Sequence, residues 1–477
     1  MKPKLSPKPK SKLRSNLPIF ITVFLLIAIV AVCVFASKKT DNAPSDNIDT
    51  SSINWESYTE KTIELENSLK ITSPGIYVLT GNLSDGMIEI STSGIVKLVL
   101  AGVTIKNSSG PAILVSEAKT VFIETKEGTI NTLTDSESYS GFNEDICATI
   151  FSKDNLVLEG SGTLVVYGNH EDGIVSKDKL KITSGTYKLE TKDEGIRGRD
   201  SVYISGGNIE IDSGGDAIKS NNSEEIGKGT ILIDGGELTI SAGDDGVHAE
   251  KTVTINDGII NIKQSYEGIE GSSIAINGGD IKVVASDDGL NAAGGNDGSS
   301  PNMRDYQDSS SNYQIIVNDG KIHIYSSGDG IDSNGSFTMN GGEVIVDGPI
   351  SDGNGALDAE TGVVYNGGTL IAVGSAGMAV SPNNSSNGYS ISVFFDSSFS
   401  AGTKISIKDA YENTILSYVP TKTFAHASFS SPEFQEGSTY TIYVNDVEYA
   451  SVKLSGKTTR SGSGAQRMFG PGFGPGR

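Results

Sequence analysis

Cysteine, histidine and tryptophan are scarce in this sequence of 477 residues, which contains two, four and one of them respectively. Cys33 lies in an apolar N-terminal segment and Cys147 far along the chain, so the two cannot form a useful structural disulfide. We expect Cys147 to be a small buried hydrophobic residue. The histidines are scattered, at His170, His248, His323 and His426. The sequence therefore lacks the cysteine and histidine cluster that a zinc site requires.

Helical periodicity and nucleotide-binding or hydrolase motifs are also missing. No long apolar pattern of period 3.6 follows the N-terminus, so we expect almost no helix. No Gly-x-Ser-x-Gly elbow and no phosphate-binding loop stands out. Acidic residues are absent before Asp41 although the whole chain carries a net charge of −22, so the part after the N-terminus is more acidic still. Such a surface repels nucleic acid, which we exclude as a partner.

The N-terminal segment has the charge pattern of an export signal or anchor. Residues 1–16 are basic, and the 18 residues from Ile19 to Ala36 carry no charge, close to the shortest length that spans a bilayer. Residues 1–37 are therefore interpreted as a cytoplasmic basic segment with a transmembrane anchor, or alternatively as a cleaved signal peptide. Everything after a linker at residues 38–54 would be extracytoplasmic, tethered to the cell surface or secreted.

One short phrase recurs along the middle of the chain. An acidic or small residue precedes Gly or Ala, and an aliphatic residue follows, as in Asp288-Gly289-Leu290. The Gly or Ala positions are Gly173, Gly195, Ala217, Gly246, Gly268, Gly289, Gly330, Ala356 and Gly377. The steps between them are 22, 22, 29, 22, 21, 41, 26 and 21, and a nearly fixed step with insertions is typical of a solenoid. Pro111-Ala112-Ile113 and Ala148-Thr149-Ile150 are read as early degenerate copies.

A second phrase alternates with the first and contains paired glycines or a related corner. Examples are Asp234-Gly235-Gly236 and Asn277-Gly278-Gly279, each between short runs of alternating β-branched residues. Strand, glycine turn, strand and acidic turn together suit one coil of a parallel β-helix of about 22 residues per coil. We predict an all-β fold with this β-helix over residues 55–388, a small C-terminal β cap over 389–455 and a disordered Gly-rich tail over 456–477.

Stacking of the coils would align equivalent residues about 4.8 Å apart. The residues before the Gly form what we call the acidic column: Asp172, Glu194, Asp216, Asp245, Glu267, Asp288 and Asp329. The residues two positions after the Gly form the variable column: Val175, Arg197, Lys219, His248, Glu270, Asn291 and Asp332, with Asp358 as its continuation. The aliphatic residues between the two columns are expected to form an inward stack.

Carboxylates at this spacing repel each other by roughly 1 kcal/mol even in bulk water. Either their pKa values rise or they share a cation, unless the row is simply a solvated acidic turn. Oxygen ligands from adjacent coils suit Ca²⁺, which we predict as the bound cofactor. The candidate ligands are Asp244, Asp245, Glu267, Glu270, Asp287, Asp288, Asn291, Asp329, Asp332 and Asp358.

Several motifs resemble one bacterial family. They are the run from Asp287 to Asp297, the Gly-Gly corners, Ser430 to Phe434 with Gly437 to Thr441, and the Gly/Phe-rich tail. Together they resemble the "carbohydrate-binding domain-containing protein" family. The resemblance implies a right-handed parallel β-helix with calcium, similar in shape to pectate-type lyases, and binding of cellulose and polygalacturonate. It also implies calcium on aspartates spaced like Asp287, Asp288, Asp329 and Asp332, although Tyr266 replaces an expected Asp.

Three functions remain open at this point. The first is a non-catalytic binder of cell-wall polysaccharide, with calcium bridging to acidic glycans and tyrosines stacking on sugars: Tyr266, Tyr306, Tyr313 and Tyr325. We favour it over an enzyme. The second is a calcium-dependent polysaccharide lyase, which needs a basic side chain near the carboxylates. The candidates are Lys263, Lys282, Arg304 and Lys321. The third is a structural surface spacer or adhesin.

Overall fold

The computed structural model describes residues 48–293 and 313–462, and these residues are almost entirely β-strand and turn. The N-terminal segment and most of the linker, Tyr306, Arg304 and the end of the tail lie outside the described residues. The described part contains no α-helix, only a 3₁₀ turn at Trp55–Ser57. No helix in this part has the length and apolar character needed to cross a bilayer.

The described residues form forty strands. The first coils contain β1 (Glu60–Leu65), β2 (Leu69–Ile71), β3 (Gly75–Leu83), β4 (Ile88–Ser91), β5 (Ile95–Leu100), β6 (Thr104–Lys106), β7 (Ile113–Glu117), β8 (Thr120–Thr125) and β9 (Ile130–Thr134). The repeat region begins with β10 (Ala148–Ser152), β11 (Asn155–Gly160), β12 (Thr163–Gly168), β13 (Asp172–Ser176), β14 (Lys179–Ile182), β15 (Thr186–Thr191), β16 (Ile196–Gly198), β17 (Ser201–Ile204), β18 (Asn208–Ser213), β19 (Ile218–Ser220), β20 (Thr230–Ile233) and β21 (Glu237–Ala242).

It continues with β22 (Val247–Ile255), β23 (Ile259–Gln264), β24 (Ile269–Ile276), β25 (Asp280–Ala285), β26 (Leu290–Ala292), β27 (Gln314–Val317), β28 (Lys321–Ser326), β29 (Ile331–Ser333), β30 (Ser336–Met339), β31 (Glu343–Asp347), β32 (Gly362–Tyr365) and β33 (Thr369–Gly374). The C-terminal part contains β34 (Tyr389–Phe399), β35 (Ile405–Lys408), β36 (Thr414–Tyr418), β37 (Phe424–Ser431), β38 (Thr439–Val444), β39 (Val447–Lys453) and β40 (Thr458–Ser461).

The repeat region pairs in parallel with a shift of one repeat. β13 pairs with β16, β14 with β17 and β15 with β18, so three ladders advance together along the chain. We call the three strands of one repeat a coil. The ladders extend upstream as predicted, because Ile113 pairs with Ile150 and Ile150 with Ile174. The repeat step read from the sequence is therefore the pairing step of a large, mostly parallel sheet.

The aliphatic residue of the acidic phrase lies in the core from Ile174 to Leu357, whereas Met378 of the last phrase is 47% exposed. Ile196, Ile218 and Val247 follow one another in register and are fully buried. They belong to one hydrophobic cluster that runs without a break from Leu65 to Ala372. Burial of each such side chain contributes about 1.5–3 kcal/mol, which no single coil could obtain without its neighbours.

The glycine of the acidic phrase permits close stacking of one coil on the next. A Cβ on Gly268 would lie 2.3 Å from the carbonyl oxygen of Gly289 and 2.3 Å from a methyl group of Val283. Only a residue without a side chain fits there unless the backbone shifts. The phrase therefore fixes the spacing at which the neighbouring acidic side chains face each other.

Pairing changes at the C-terminal end of the stack. β37 pairs antiparallel with both β33 and β34, and a separate four-stranded sheet contains β35, β36, β38 and β39. A second hydrophobic cluster underlies these strands. Asp347, buried at the end of β31, accepts hydrogen bonds from Tyr418 Oη at 2.7 Å and from Thr421 Oγ1 at 2.5 Å. This one carboxylate therefore ties the last coils to the C-terminal sheet.

Candidate functional site

The acidic column lies at the corner between the third strand of one coil and the first strand of the next. Its carboxylates are held in place by the backbone of the following coil. Asp172 Oδ1 accepts from the amide of Glu194 at 3.2 Å, and Asp216 Oδ1 accepts from the amide of Asp245 at 2.9 Å. Asp288 Oδ1 accepts in the same way from the amide of Asp329, at 2.5 Å. One oxygen of each of these carboxylates is thus used by the fold, and the other oxygen of Asp172 and of Asp216 contacts a basic side chain of the variable column.

The variable column runs beside it in strict register. Arg197 pairs with Lys219, Lys219 with His248 and His248 with Glu270. Glu270 then pairs with Asn291, and Asn291 with Asp332. The alignment read from the sequence is therefore confirmed residue by residue. Side chains from the two columns meet because they flank the same buried aliphatic residue.

Basic side chains neutralise the first coils of the acidic column. Arg197 pairs with Asp172, and Lys219 Nζ lies 2.7 Å from Asp216 and 3.0 Å from Glu194. In the next coil His248 Nδ1 lies 3.0 Å from Asp245. Each protein cation therefore contacts one or more carboxylates.

His248 is the last cation of this series. Its Nδ1 also lies 2.9 Å from Glu270 Oε2. Burial alone would lower the pKa of His248, but hydrogen bonds and charges from Asp245 and Glu270 outweigh it and raise that pKa to about 11. The imidazole is therefore a fixed positive charge at neutral pH.

The following coils carry carboxylates without such partners. In the part of the chain that the structure describes, no lysine, arginine or histidine forms an ion pair with Asp288, Asp329 or Asp332. One oxygen from each of these three carboxylates lies within 4.8 Å of the others. We call them the carboxylate cluster. Burial, with the charge of Asp329, raises the pKa of Asp288 to about 8. Burial also raises the pKa of Asp329 to about 7 and, with the charge of Asp358, that of Asp332 to about 6.

A second group of three carboxylates lies one step upstream. Asp245, Glu267 and Glu270 offer oxygens within 4.8 Å of one another, and all three side chains are buried. Burial and the charge of Glu270 raise the pKa of Glu267 to about 9. His248 contacts two members of this group, so it is only partly compensated by the protein.

Asn291 lies between the two groups. Its Nδ2 donates to Glu267 Oε2 at 2.7 Å, while its Oδ1 is buried and has no hydrogen-bond partner among the described residues. The side chain is only 4% exposed. A buried amide oxygen without a partner costs roughly 1–3 kcal/mol, and a cation would satisfy it. The donor set of carboxylate and amide oxygens fits a hard cation such as Ca²⁺.

The predicted ligands are only partly brought together. The charges of Asp287 and Asp358 help to raise the pKa values of carboxylates in the carboxylate cluster. The backbone N–H of Asp358 donates to the carbonyl oxygen of Ile331. Asp244 is exposed and belongs to neither group of three. Among the predicted sugar platforms, Tyr266 is 36% exposed, and Tyr313 is half-buried. Tyr325 has Lys422 Nζ 4.5 Å above its ring. Their role in ligand binding remains a prediction.

Sequence reasoning missed a ladder of amides at the glycine corner. Asn256 Nδ2 donates to Asp234 Oδ1 at 2.6 Å, and Asn277 Nδ2 donates to Asn256 Oδ1 at 2.7 Å. The same bond repeats coil after coil, each time at 2.7 or 2.8 Å, from Asn318, Asn340, Asn366 and Asn387. The sequence did show an Asn two residues before the second glycine of the phrase, which could have predicted this asparagine ladder.

Comparison with known proteins gives a family match over slightly less than half of the chain. The family model described as "Carbohydrate-binding domain-containing protein" matches residues 65–299. A protein of that description from Acetivibrio thermocellus is 36% identical over 155 residues, which are 31% of this chain and 50% of the relative. The match therefore spans half the length of that relative. A solved structure of a polysaccharide lyase-like protein from C. thermocellum, a gadolinium derivative, is 34% identical. It covers 51% of this chain and 90% of its own, with a TM-score of 0.40.

Proposed function

We propose that this chain, which the family model described as "Carbohydrate-binding domain-containing protein" matches over residues 65–299, binds polysaccharide through a calcium-loaded acidic corner. The ligand class we propose is a cell-wall glycan rich in carboxylates, such as polygalacturonate, with cellulose as a further ligand. The protein is a binder in this proposal and performs no catalysis. It would act outside the cell, on a surface to which the apolar segment from Ile19 to Ala36 tethers it.

The observation that carries the proposal is the change of residue type along the variable column. In successive coils the same place holds Arg197, Lys219 and His248, and then Glu270, Asn291 and Asp332. The acidic column beside it stays acidic throughout. Its carboxylates repel one another by roughly 1 kcal/mol per pair in bulk water and by more near a protein surface. We infer that a bound cation supplies in the later coils the charge that side chains supply in the earlier ones.

Calcium suits the donors that converge there. Asp288, Asp329 and Asp332 would hold the ion. Asn291 pairs with Asp332 in the variable column and brings its amide oxygen to the same corner. Ca²⁺ takes six to eight oxygens in flexible geometry, so ligand carboxylates and water can complete its shell. A bound calcium would bridge this acidic surface to an acidic glycan, which the protein alone would repel. The family description supports a glycan as the partner.

The finer architecture belongs to the same proposal. We infer that the three parallel ladders close around the hydrophobic cluster as a right-handed β-helix, with one coil per repeat of about 22 residues. Such a stack presents every acidic phrase on one corner, so the proposed ion sites form a line along it. An extended glycan lying parallel to the stack would contact several ions at once.

The test is retention of the purified full-length chain on insoluble polygalacturonate, first with calcium and then with a chelator. We expect retention in calcium and release by the chelator. Asp288→Asn and Asp332→Asn should each weaken retention, because each removes a charged ligand of the same cluster. Asp212→Asn is the matched control, because it removes one charge at an exposed position on β18, outside the carboxylate cluster.

Retention that is unchanged by the chelator would refute the proposed calcium bridge between protein and glycan. Absence of retention under every condition would favour the spacer or adhesin hypothesis. In that hypothesis an ion at the carboxylate cluster only stabilises the stacking of the coils. In either case the melting temperature with and without calcium separates the two questions, because an ion that binds the folded chain stabilises it whether or not a glycan follows.

A further inference from the structure

Six asparagines of the described residues stand directly before a glycine: Asn277, Asn334, Asn340, Asn354, Asn366 and Asn387. Asparagine is chemically labile, and most so before glycine, because no side chain hinders the backbone nitrogen of the following residue. All six pairs share this local sequence. Any difference in their reactivity must therefore come from the fold.

The reaction to which such pairs are prone is deamidation. The backbone nitrogen of the glycine bonds to the side-chain carbonyl carbon of the asparagine, the bond from that carbon to the side-chain nitrogen breaks, and ammonia leaves with the proton of the glycine N–H. Water then opens the resulting succinimide ring to aspartate or isoaspartate. Ring closure requires the asparagine side chain to turn towards its own glycine nitrogen, to a distance of about 3–3.5 Å.

The asparagine ladder holds its inner members away from this geometry. Asn277 donates from Nδ2 to Asn256 Oδ1 at 2.7 Å and accepts at Oδ1 from Asn318 Nδ2, also at 2.7 Å. Ring closure must break both bonds, because Nδ2 leaves as ammonia and the carbonyl carbon changes its geometry. Two further members that precede a glycine donate and accept in the same way, each at 2.8 Å: Asn340 and Asn366.

The first member of the ladder shows the effect of an acid at this position. Asp234 stands before Gly235 as Asn277 stands before Gly278. Its two carboxylate oxygens accept from Asn256 Nδ2 at 2.6 Å and from Tyr203 Oη at 2.8 Å. A carboxylate has no N–H to donate to a further member, so the ladder ends there. Deamidation of an inner member would therefore divide the ladder in two.

Asn334 lies outside the ladder, in an exposed bend directly after β29. Its side chain forms no hydrogen bond with any residue that the structure describes, and only its backbone is held, by an N–H that donates to the carbonyl oxygen of Ala292. The N–H of Gly335 donates to the neutral hydroxyl oxygen of Ser333 at 3.1 Å. The side chain of Asn334 is thus free to turn towards the glycine nitrogen.

Asn354 also lies outside the ladder but is held more firmly. It is half-buried, and its carbonyl oxygen accepts from Ser375 Oγ at 2.8 Å. The N–H of Gly355 donates to the Asp329 carboxylate at 2.5 Å. Hydrogen bonds to a charged acceptor are roughly twice as strong as those between neutral groups. The attacking nitrogen is therefore less available at Asn354 than at Asn334.

We propose that Asn334 is a site of spontaneous deamidation in the folded chain, and that the asparagine ladder protects Asn277, Asn340 and Asn366 from the same reaction. Either product at Asn334 replaces a neutral amide with a carboxylate two residues from Asp332. The modification adds negative charge beside coils whose carboxylates already repel one another. The ladder keeps the same change from occurring along the opposite corner.

The experiment incubates the purified full-length chain in mildly alkaline buffer and follows each Asn-Gly pair by peptide mass spectrometry. The same chain in denaturant gives the rate of each pair without the fold, and each folded-state rate is divided by that value. We expect this ratio at Asn334 to exceed the ratios at Asn277, Asn340 and Asn366 by at least about tenfold. Similar ratios at all four positions overturn the proposal.

Two variants of one ladder residue test the protection directly. Asn318→Ala removes the donor to Asn277 and the acceptor from Asn340, so both pairs should react faster while Asn334 is unchanged. Asn318→Asp keeps the acceptor but loses the donor, so only Asn277 should react faster. Asn208→Ala is the matched control, because it makes the first substitution at an exposed position on β18, outside the ladder.

Protection by the ladder is overturned if Asn277 reacts at the native rate in both variants of Asn318. It is also overturned if Asn208→Ala accelerates the ladder pairs equally, since that result would reflect a general loosening of the stack. Melting temperatures show whether each variant is folded. If neither Asn318 variant folds, the comparison of Asn334 with the inner members in the native chain decides the proposal without them.

Discussion

His248 Nδ1 lies 2.9 Å from Glu270 Oε2, which makes His248 the last protein cation before the variable column turns acidic. Upstream of this contact, ion pairs within the chain balance the acidic column. Downstream, no described lysine, arginine or histidine forms an ion pair with the carboxylate cluster, and under the proposed function a bound ion would supply the balance. The boundary between the two regimes is therefore one residue pair, and most of the predictions below concern the coils on its two sides.

A lysine placed in the downstream coils should replace the ion. In Asp332→Lys the new ammonium group would stand two coils from Glu270 in the column that Lys219 occupies upstream. We expect a melting temperature that no longer responds to calcium or chelator, together with loss of calcium-dependent retention on polygalacturonate. Asp212→Lys makes the same change of charge at an exposed position of the third ladder and should leave both responses intact. A variant that still needs calcium for full stability would contradict the exchange.

Removal of an upstream cation should be costly. Lys219→Met leaves Asp216 and Glu194 buried without their ammonium partner, and breaking such a buried pair costs about 3 kcal/mol. Chemical unfolding measures the loss. Lys188→Met is the control, because Lys188 forms an ion pair with Glu210 at 3.3 Å in which both side chains are more than half exposed. Such surface pairs contribute about 0–1 kcal/mol, so equal losses in the two variants would refute the role given to Lys219.

The stability of the calcium-free chain should fall as the pH rises. Asp288 has an ordinary pKa of 3.8 and a pKa of about 8 in the fold, so the folded state holds its proton more tightly than the unfolded state. That contribution is complete below about pH 4 and is lost progressively up to about pH 8. Glu267, with a pKa of about 9, acts in the same direction. We expect the melting temperature in chelator to decline across this window.

Calcium should flatten the pH profile just described, because a bound ion stabilises the ionised carboxylates that the proton otherwise neutralises. The measurement is a series of melting curves at increasing pH, with chelator and with calcium. Asp288→Asn should reduce the slope in chelator, since the amide does not titrate. Parallel profiles in chelator and calcium would show that the ion does not bind these carboxylates.

Loss of the Asp347 carboxylate should loosen the C-terminal sheet. Asp347→Ala removes the acceptor for Tyr418 and Thr421 and leaves both hydroxyl groups without it. Hydrogen bonds to a charged group contribute about 1.5–3 kcal/mol, so we expect faster proteolysis within residues 409–423. Tyr418→Phe removes only one of these bonds and should have a smaller effect. Identical cleavage rates in all three chains would count against the tie.

Polygalacturonate incubated with the chain and calcium should show no rise in the ultraviolet absorbance of unsaturated uronides. A lyase needs a basic side chain beside the calcium-bound uronate, and Lys263, Lys282 and Lys321 are exposed on the strands of the third ladder. Lys321 lines a cavity at the glycine corner. A rise that Asp288→Asn abolishes would establish the lyase instead.

Much of the fold could be predicted from the sequence because each coil repeats the same two sequence phrases. The step from Gly246 to Gly268 is the step of the pairing between Val247 and Ile269, and a buried aliphatic residue marks every acidic phrase except the last, where Met378 is exposed. The alignment of His248 with Glu270 followed from the same count. Periodicity thus gave both register and the two columns, since an error of one residue would have exposed the whole inward stack.

The remaining features depend on distances that a repeat count does not contain. Asp244 and Asp245 are adjacent in sequence, yet Asp245 is buried within a group of carboxylates and Asp244 is exposed. The cavity at the glycine corner arises from the shape of stacked turns, which no single phrase encodes. The unpartnered oxygen of Asn291 becomes visible only once its neighbours are placed around it.

On the proposed function, the order of the variable column also makes the two ends of the repeat region differ in their dependence on an ion. Arg197, Lys219 and His248 come earlier in the chain than the carboxylate cluster, so the first coils can stack on each other with charges they already carry. On the proposed function, the later coils reach the same balance of charge only when an ion binds. A low free calcium concentration would then favour local opening of the later coils over the earlier ones, and amide hydrogen exchange would be fastest there.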